Sequence, residues 1–123
     1  PRPGGKDGLY DAALEAKKQG KILHIGITNH RLAVAKEAIE SGLYETLQFP
    51  FCYLATDADL AVVNSCKAAD MGFIAMKGLA GGMLTNARAC TAFMDQYDNV
   101  APIWGIQKEK ELNHINSLFG KNA

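Results

Sequence analysis

Ile22-Leu23-His24-Ile25-Gly26-Ile27 is apolar throughout except for His24. A strand with one wet face alternates apolar and polar residues, whereas a strand of a parallel sheet, covered on both faces, reads as an unbroken apolar run. Residues 22–27 read as the second kind. Similar runs recur at Thr46-Leu-Gln-Phe-Pro-Phe51, Gly72-Phe-Ile-Ala-Met76 and Val100-Ala-Pro-Ile103, each ending in polar or glycine-rich residues. The starts recur every ~24–29 residues, the spacing of β/α units joined by short loops. In such units the functional groups gather at the carboxyl ends of the strands. The chemistry is therefore expected at Thr28-Asn29, Gln48, residues 76–82 and Gly105.

The intervening segments carry helical periodicity. Leu9, Ala12, Ala13 and Ala16 form a stripe that Asp7 can cap and Gly20 ends, and Lys17, Lys18 and Lys21 suit the negative pole of that helix. Residues 31–41 place Leu32, Ala35, Ala38 and Ile39 on one face, with Asn29 or His30 as the expected cap and Gly42 as the stop. Asp57 or Asp59 opens a third helix bearing Leu60, Val63 and Cys66, with Gly72 as its stop. Further helices are predicted at 86–95 and 108–119. No linker or low-complexity segment interrupts the pattern, so residues 1–123 read as one α/β domain: four parallel β/α units, half of a (β/α)8 TIM barrel. An open doubly wound sheet is the alternative, but its first strand would lead into Gly-x-Gly-x-x-Gly, which is absent.

Thirteen Lys plus Arg balance thirteen Asp plus Glu. That balance gives no electrostatic reason to expect nucleic acid or an anionic membrane. No apolar run approaches the roughly 20 residues of a bilayer span, and the Pro1-Arg-Pro-Gly-Gly5 start lacks the apolar core of a signal peptide. Cys52, Cys66 and Cys90 form no Cys-x-x-Cys pair, so neither a disulfide framework nor a metal site is expected, and a reducing cytoplasm fits them. The expected partner is a small molecule.

Several residues could bind it. Gly78, Gly81 and Gly82 can turn successive backbone N–H groups toward a phosphate, with Lys77 adding charge, although glycines also serve a plain turn. Gln48 offers an amide donor and acceptor that suit another amide, or it bonds to loop backbone. Phe51 offers a flat face for a planar ring or simply packs in the core. Thr28 and Asn29 can reach a ligand or cap a helix. Gly105 allows close approach or a turn. His24, alone on its run, suits a core or barrel-end position more than catalysis. No Ser/His/Asp set or paired carboxylates appear, so no catalytic centre is expected here.

The strings Ala16-Lys-Lys-Gln-Gly-Lys-Ile-Leu-His-Ile-Gly-Ile-Thr-Asn29, Gln48-Phe-Pro-Phe-Cys-Tyr-Leu54, Gly72-Phe-Ile-Ala-Met-Lys-Gly-Leu-Ala-Gly-Gly82 and Pro102-Ile-Trp-Gly-Ile106 together resemble the aldo-keto reductase family. The likeness is to its bacterial predicted oxidoreductases that often carry an iron–sulfur segment after the barrel. The resemblance implies that the chain is the C-terminal half, strands 5–8, of the barrel, a fragment without the first half. It implies NADPH or NADH as cofactor and a small aldehyde or ketone as substrate. Thr28, Asn29 and Gln48 would hold the nicotinamide carboxamide, and Phe51 would stack on its ring. Lys77, Leu79 and Gly81 would meet the pyrophosphate, and Gly105, Ile106 and Gln107 would lie near the adenosine ribose. Gly105 and Glu111 stand where many members place a Lys and an Arg for the 2′-phosphate, and Ile115 replaces an adenine-contacting Asn. The family's catalytic Asp, Tyr, Lys and His belong to the first four strands and match nothing here. An inactive half-barrel module, pairing with a second copy through exposed edges, is the other expectation.

Overall fold

A computed structural model describes residues 7–79 and 86–118. The chain alternates α1 (Leu9–Lys18), β1 (Gly26–Thr28), α2 (Leu32–Ser41), β2 (Thr46–Pro50), α3 (Asp57–Ala68), β3 (Gly72–Met76), α4 (Ala87–Met94), β4 (Val100–Pro102) and α5 (Glu109–Leu118). The four strands form one sheet in the order β1-β2-β3-β4, with every pair parallel. This is a partial (β/α) barrel, as the spacing predicts.

Strand parity sorts the side chains. Leu47 and Phe49 of β2 and Phe73 and Ala75 of β3 are buried toward the helices, where they meet Ala35 of α2, Val63 and Cys66 of α3 and Met94 of α4. Each large apolar side chain buried there contributes about 1.5–3 kcal/mol. The opposite face carries two rows set by register. Gly26, Thr46 and Gly72 form one, and Thr28, Gln48 and Ile74 the other. Thr46 fills the space beside both glycines: a Cβ added to Gly26 would collide with its Oγ1, and one added to Gly72 would lie 3.3 Å from its Cγ2. Among the described residues no helix layer covers this face, which corrects the expectation of strands covered on both sides.

The decisive run at 22–27 is strand only from Gly26. Ile22 and Leu23 are exposed, and the Ile25 N–H is drawn to the Glu45 carboxylate at 2.9 Å instead of entering the ladder. The helix starts also differ from expectation. Gly8, not Asp7, is the N-cap of α1, and Arg31, not Asn29 or His30, is that of α2; neither makes a side-chain cap bond. Thr56 opens α3 through a reciprocal capping box with Asp59, worth about 1 kcal/mol in such helices. Asp70, at φ 55°, makes the turn after α3, while Gly72 is already strand. Asn86 caps α4 through its side chain.

At the amino ends of the strands Glu45 ties three segments together. Its carboxylate receives the Lys17 ammonium at 3.1 Å, contacts His24 Nδ1 at 3.0 Å and accepts the Ile25 N–H. His24 is thus a barrel-end residue. These partners, His24 first, then the Ile25 N–H and Lys17, lower the Glu45 pKa from 4.5 to about 2. A carboxyl whose folded pKa is depressed stabilises the fold fully above its unfolded value and loses that contribution as pH falls toward the folded one. The thermal midpoint should therefore drop between pH 4.5 and 2 more steeply than that of Glu45→Gln, the two curves converging at the acid end. Parallel curves across that window would contradict this role.

Candidate functional site

Parallel strands bring their carboxyl ends to one side, and each pairing here continues one bond beyond the strand. Asn29 N–H donates to Gln48 C=O at 3.1 Å, Phe51 N–H to Met76 C=O at 3.0 Å, and Ile103 N–H to Ala75 C=O at 2.9 Å. Thr28 stands opposite Gln48 on the uncovered face. Three of the expected carboxamide contacts, Thr28, Asn29 and Gln48, are thereby brought together.

Asn29 is the unusual member. Both its Oδ1 and its Nδ2 are buried without a hydrogen-bond partner among the described residues. A buried polar group left unpaired costs about 1–3 kcal/mol, and the amide here carries a donor and an acceptor. It caps no helix, because the turn from β1 delays α2 until Arg31. The neighbouring Gln48 amide spends its Nε2 on the Met76 sulfur at 3.6 Å, a weak acceptor.

Phe51 is not at this surface. It is 2% exposed and packs with Phe73, Phe93 and Tyr97 at ring-centroid separations of 5.2–5.5 Å. Its ring has no face to offer a ligand, which corrects the stacking role expected for it. The apolar group beside Gln48 is instead Met76, which the sequence places among the strand-end residues without giving it a role. Met76 pairs with Pro50 in register and so shares the face of Gln48. Strand parity was the signal that could have found it.

Beyond Met76 the chain turns through Lys77 in the left-handed region at φ 56°, a strained conformation for a residue with a side chain. Gly78 follows against the Trp104 indole, where an added Cβ would lie 2.6 Å from Cζ3. The Trp104 Nε1–H is also buried and unpartnered among the described residues. Leu79 is half-buried, while Gly81 and Gly82 lie outside the described residues. Lys77 also lines a cleft of about 440 Å³ with His30, Pro50 and Cys52. A larger hollow of about 560 Å³, lined by His24, Tyr44, Glu45 and Asp70, lies at the opposite, amino ends of the strands. In β/α barrels that end serves stability, so polarity of the strands and not volume selects the site.

After β4, Gly105, Ile106 and Gln107 are exposed, and a Cβ on Gly105 would meet nothing within 4 Å. No packing in the described protein requires a glycine there. Glu111 Oε2 accepts the Gln107 N–H at 2.8 Å and the Lys108 N–H at 3.1 Å, bonds that hold its carboxyl below the usual range. Cys66 and Cys90 are buried core thiols, whereas Cys52 is half-buried; burial pushes the Cys66 thiol pKa up to about 11. Among the described residues no three His, Cys, Asp or Glu side chains come together as metal ligands, and no helix is long and apolar enough to cross a membrane.

The sequence profile of the aldo/keto reductase family matches residues 8–102. Two solved structures of a candidate aldo-keto reductase from Pseudomonas aeruginosa superpose on 92% of the chain with TM-scores of 0.74, at 18% and 19% identity. At that identity the likeness is one of fold. The chain spans 43% and 44% of those two proteins. No curated protein matches it.

The contact between Gly78 and Trp104 is directly testable. Gly78→Ala should push the indole aside, lowering stability by about 1–3 kcal/mol and shifting the emission of the single tryptophan. An unchanged spectrum and melting curve would mean that the indole does not seat on this turn.

Proposed function

The chain belongs to the aldo/keto reductase family, and from that footing we propose that it supplies the nicotinamide-dinucleotide cradle of an oxidoreductase that reduces a small aldehyde or ketone to an alcohol. The observation that carries this reading is the Asn29 side-chain amide at the end of β1, buried without a hydrogen-bond partner among the described residues, while its backbone N–H donates to the Gln48 C=O. A nicotinamide carboxamide needs one acceptor for its N–H and one donor for its C=O, and Asn29 has both to spare. The residues therefore fit the cofactor.

Bound there, the cofactor would supply the hydride that reduces the carbonyl. Asn29, Gln48 and Thr28 orient the carboxamide end and so fix which ring face is presented. Met76 gives the ring an apolar neighbour in place of Phe51. Lys77 would neutralise the pyrophosphate beside Leu79, Gly81 of the same expected loop lying outside the described residues, and the open space at Gly105 with Ile106 and Gln107 would admit the adenosine ribose. The general acid that protonates the new alkoxide comes from the four strands that the resemblance places outside this chain. Residues 1–123, as one half-barrel domain of a cytoplasmic enzyme, would thus bind cofactor without turning over substrate.

Taken as an isolated half-barrel, the chain leaves one sheet face and the edges of β1 and β4 without cover among the described residues, which favours pairing with a second copy in a homodimer. A monomer in light scattering at high micromolar concentration would overturn this.

Addition of NADH or NADPH should quench Trp104 or raise the melting temperature; silence toward both would sink the cradle. Asn29→Leu separates binding from stability. Removing a buried unpaired amide should leave the melting temperature equal or higher, while dinucleotide affinity falls about tenfold. A parallel loss of both would reduce Asn29 to a structural residue.

A further inference from the structure

Met76 stands apart from the other described methionines. Met71 and Met94 belong to the hydrophobic cluster on the helix side of the sheet, whereas Met76 lies outside that cluster, on the face that no helix covers among the described residues. Its Sδ accepts the Gln48 Nε2–H at 3.6 Å. A thioether sulfur is a weak acceptor with two lone pairs, of which Gln48 engages one. We propose that Met76 is an oxidative modification site: conversion of its sulfur to the sulfoxide captures the Gln48 amide and turns the dinucleotide away. The inference rests on the cofactor reading above and adds a regulation to that same site.

Met76 is 8% exposed, so the oxidant must be as small as hydrogen peroxide. The free lone pair attacks one peroxide oxygen; the O–O bond breaks as the S–O bond forms, sulfur gives up two electrons, and the second oxygen leaves with both protons as water. The product replaces a weak acceptor with a strong one. One bond from an atom 3.6 Å from Nε2, the new oxygen stands within reach of the Gln48 amide. The cofactor site then loses twice, because the Gln48 donor is taken and an apolar neighbour of the nicotinamide ring has become polar. A dinucleotide already bound covers the sulfur, so binding should in turn slow the oxidation.

The protein and Met76→Leu, a swap of similar volume that cannot take up oxygen, are treated with hydrogen peroxide with and without NADH or NADPH, mapped by peptide mass spectrometry and titrated with both dinucleotides. Met76 should gain one oxygen before Met71 and Met94, and more slowly with dinucleotide present. The side-chain amide resonance of Gln48 should shift on oxidation. Affinity should fall about tenfold, recover on treatment with methionine sulfoxide reductases and a thiol, and be insensitive to peroxide in Met76→Leu, whatever affinity that variant starts from. All three cysteines remain in Met76→Leu, so thiol oxidation acts on both proteins alike. Earlier oxidation of Met71 or Met94, an unmoved Gln48 resonance, or an equal loss of affinity in Met76→Leu would overturn the proposal. If the unaltered protein binds neither dinucleotide, the cofactor reading falls and the regulatory role with it, while the mass map and the Gln48 resonance still decide the modification itself.

Discussion

Parallel pairing of β2 with β1 and β3 is the constraint on which the rest of the structure depends. A parallel ladder brings the residue after each strand to the same side of the sheet, and the extra bonds from Asn29 to Gln48 and from Phe51 to Met76 hold those residues in place. The ladder endures because one face of it is packed: Leu47, Phe49, Phe73 and Ala75 are buried against α2, α3 and α4. Packing on the helix side thus fixes positions on the other side, where Thr28, Gln48 and Met76 stand. A site assembled from three successive loops needs no single loop to carry it, only a rigid register beneath them.

The two ends of the sheet divide the labour. At the amino ends, Glu45 satisfies the Ile25 N–H and draws Lys17 and His24 together, and Thr46 fits between Gly26 and Gly72. Polar groups there are paired. At the carboxyl ends the Asn29 amide and the Trp104 indole N–H are buried without partners among the described residues, and Lys77 adopts a left-handed backbone. Such costs at one end only are the physical mark of a surface shaped for something other than its own stability.

Much of this was legible in the residues. The run at 72–76 has the strand bounds that the structure gives it, and Val63 and Cys66 are buried as their helical spacing predicts. The helix expected over 86–95 is α4, with Asn86 as its cap rather than its first helical residue. The errors have physical causes. Residues 22–25 look like strand because apolarity cannot reveal that a glutamate twenty residues on will capture the Ile25 N–H. Asn29 looks like a cap because its side chain suits one, but the turn from β1 puts the helix start two residues later. Phe51 looks like a platform because an aromatic ring suits stacking equally well in a core or on a ligand.

The alternation of apolar runs and amphipathic helices by itself determined that this is a parallel β/α protein, because period and length follow from burial along one chain. It also made the strands' carboxyl ends the place to expect chemistry, because strand direction follows from connectivity. Only the tertiary structure decided which side chains share that end. Register and strand parity set Met76 rather than Phe51 beside Gln48, placed Gln48 opposite Thr28 and left the Asn29 amide without a partner among the described residues. Those relations arise between segments twenty or more residues apart, and no local propensity encodes them.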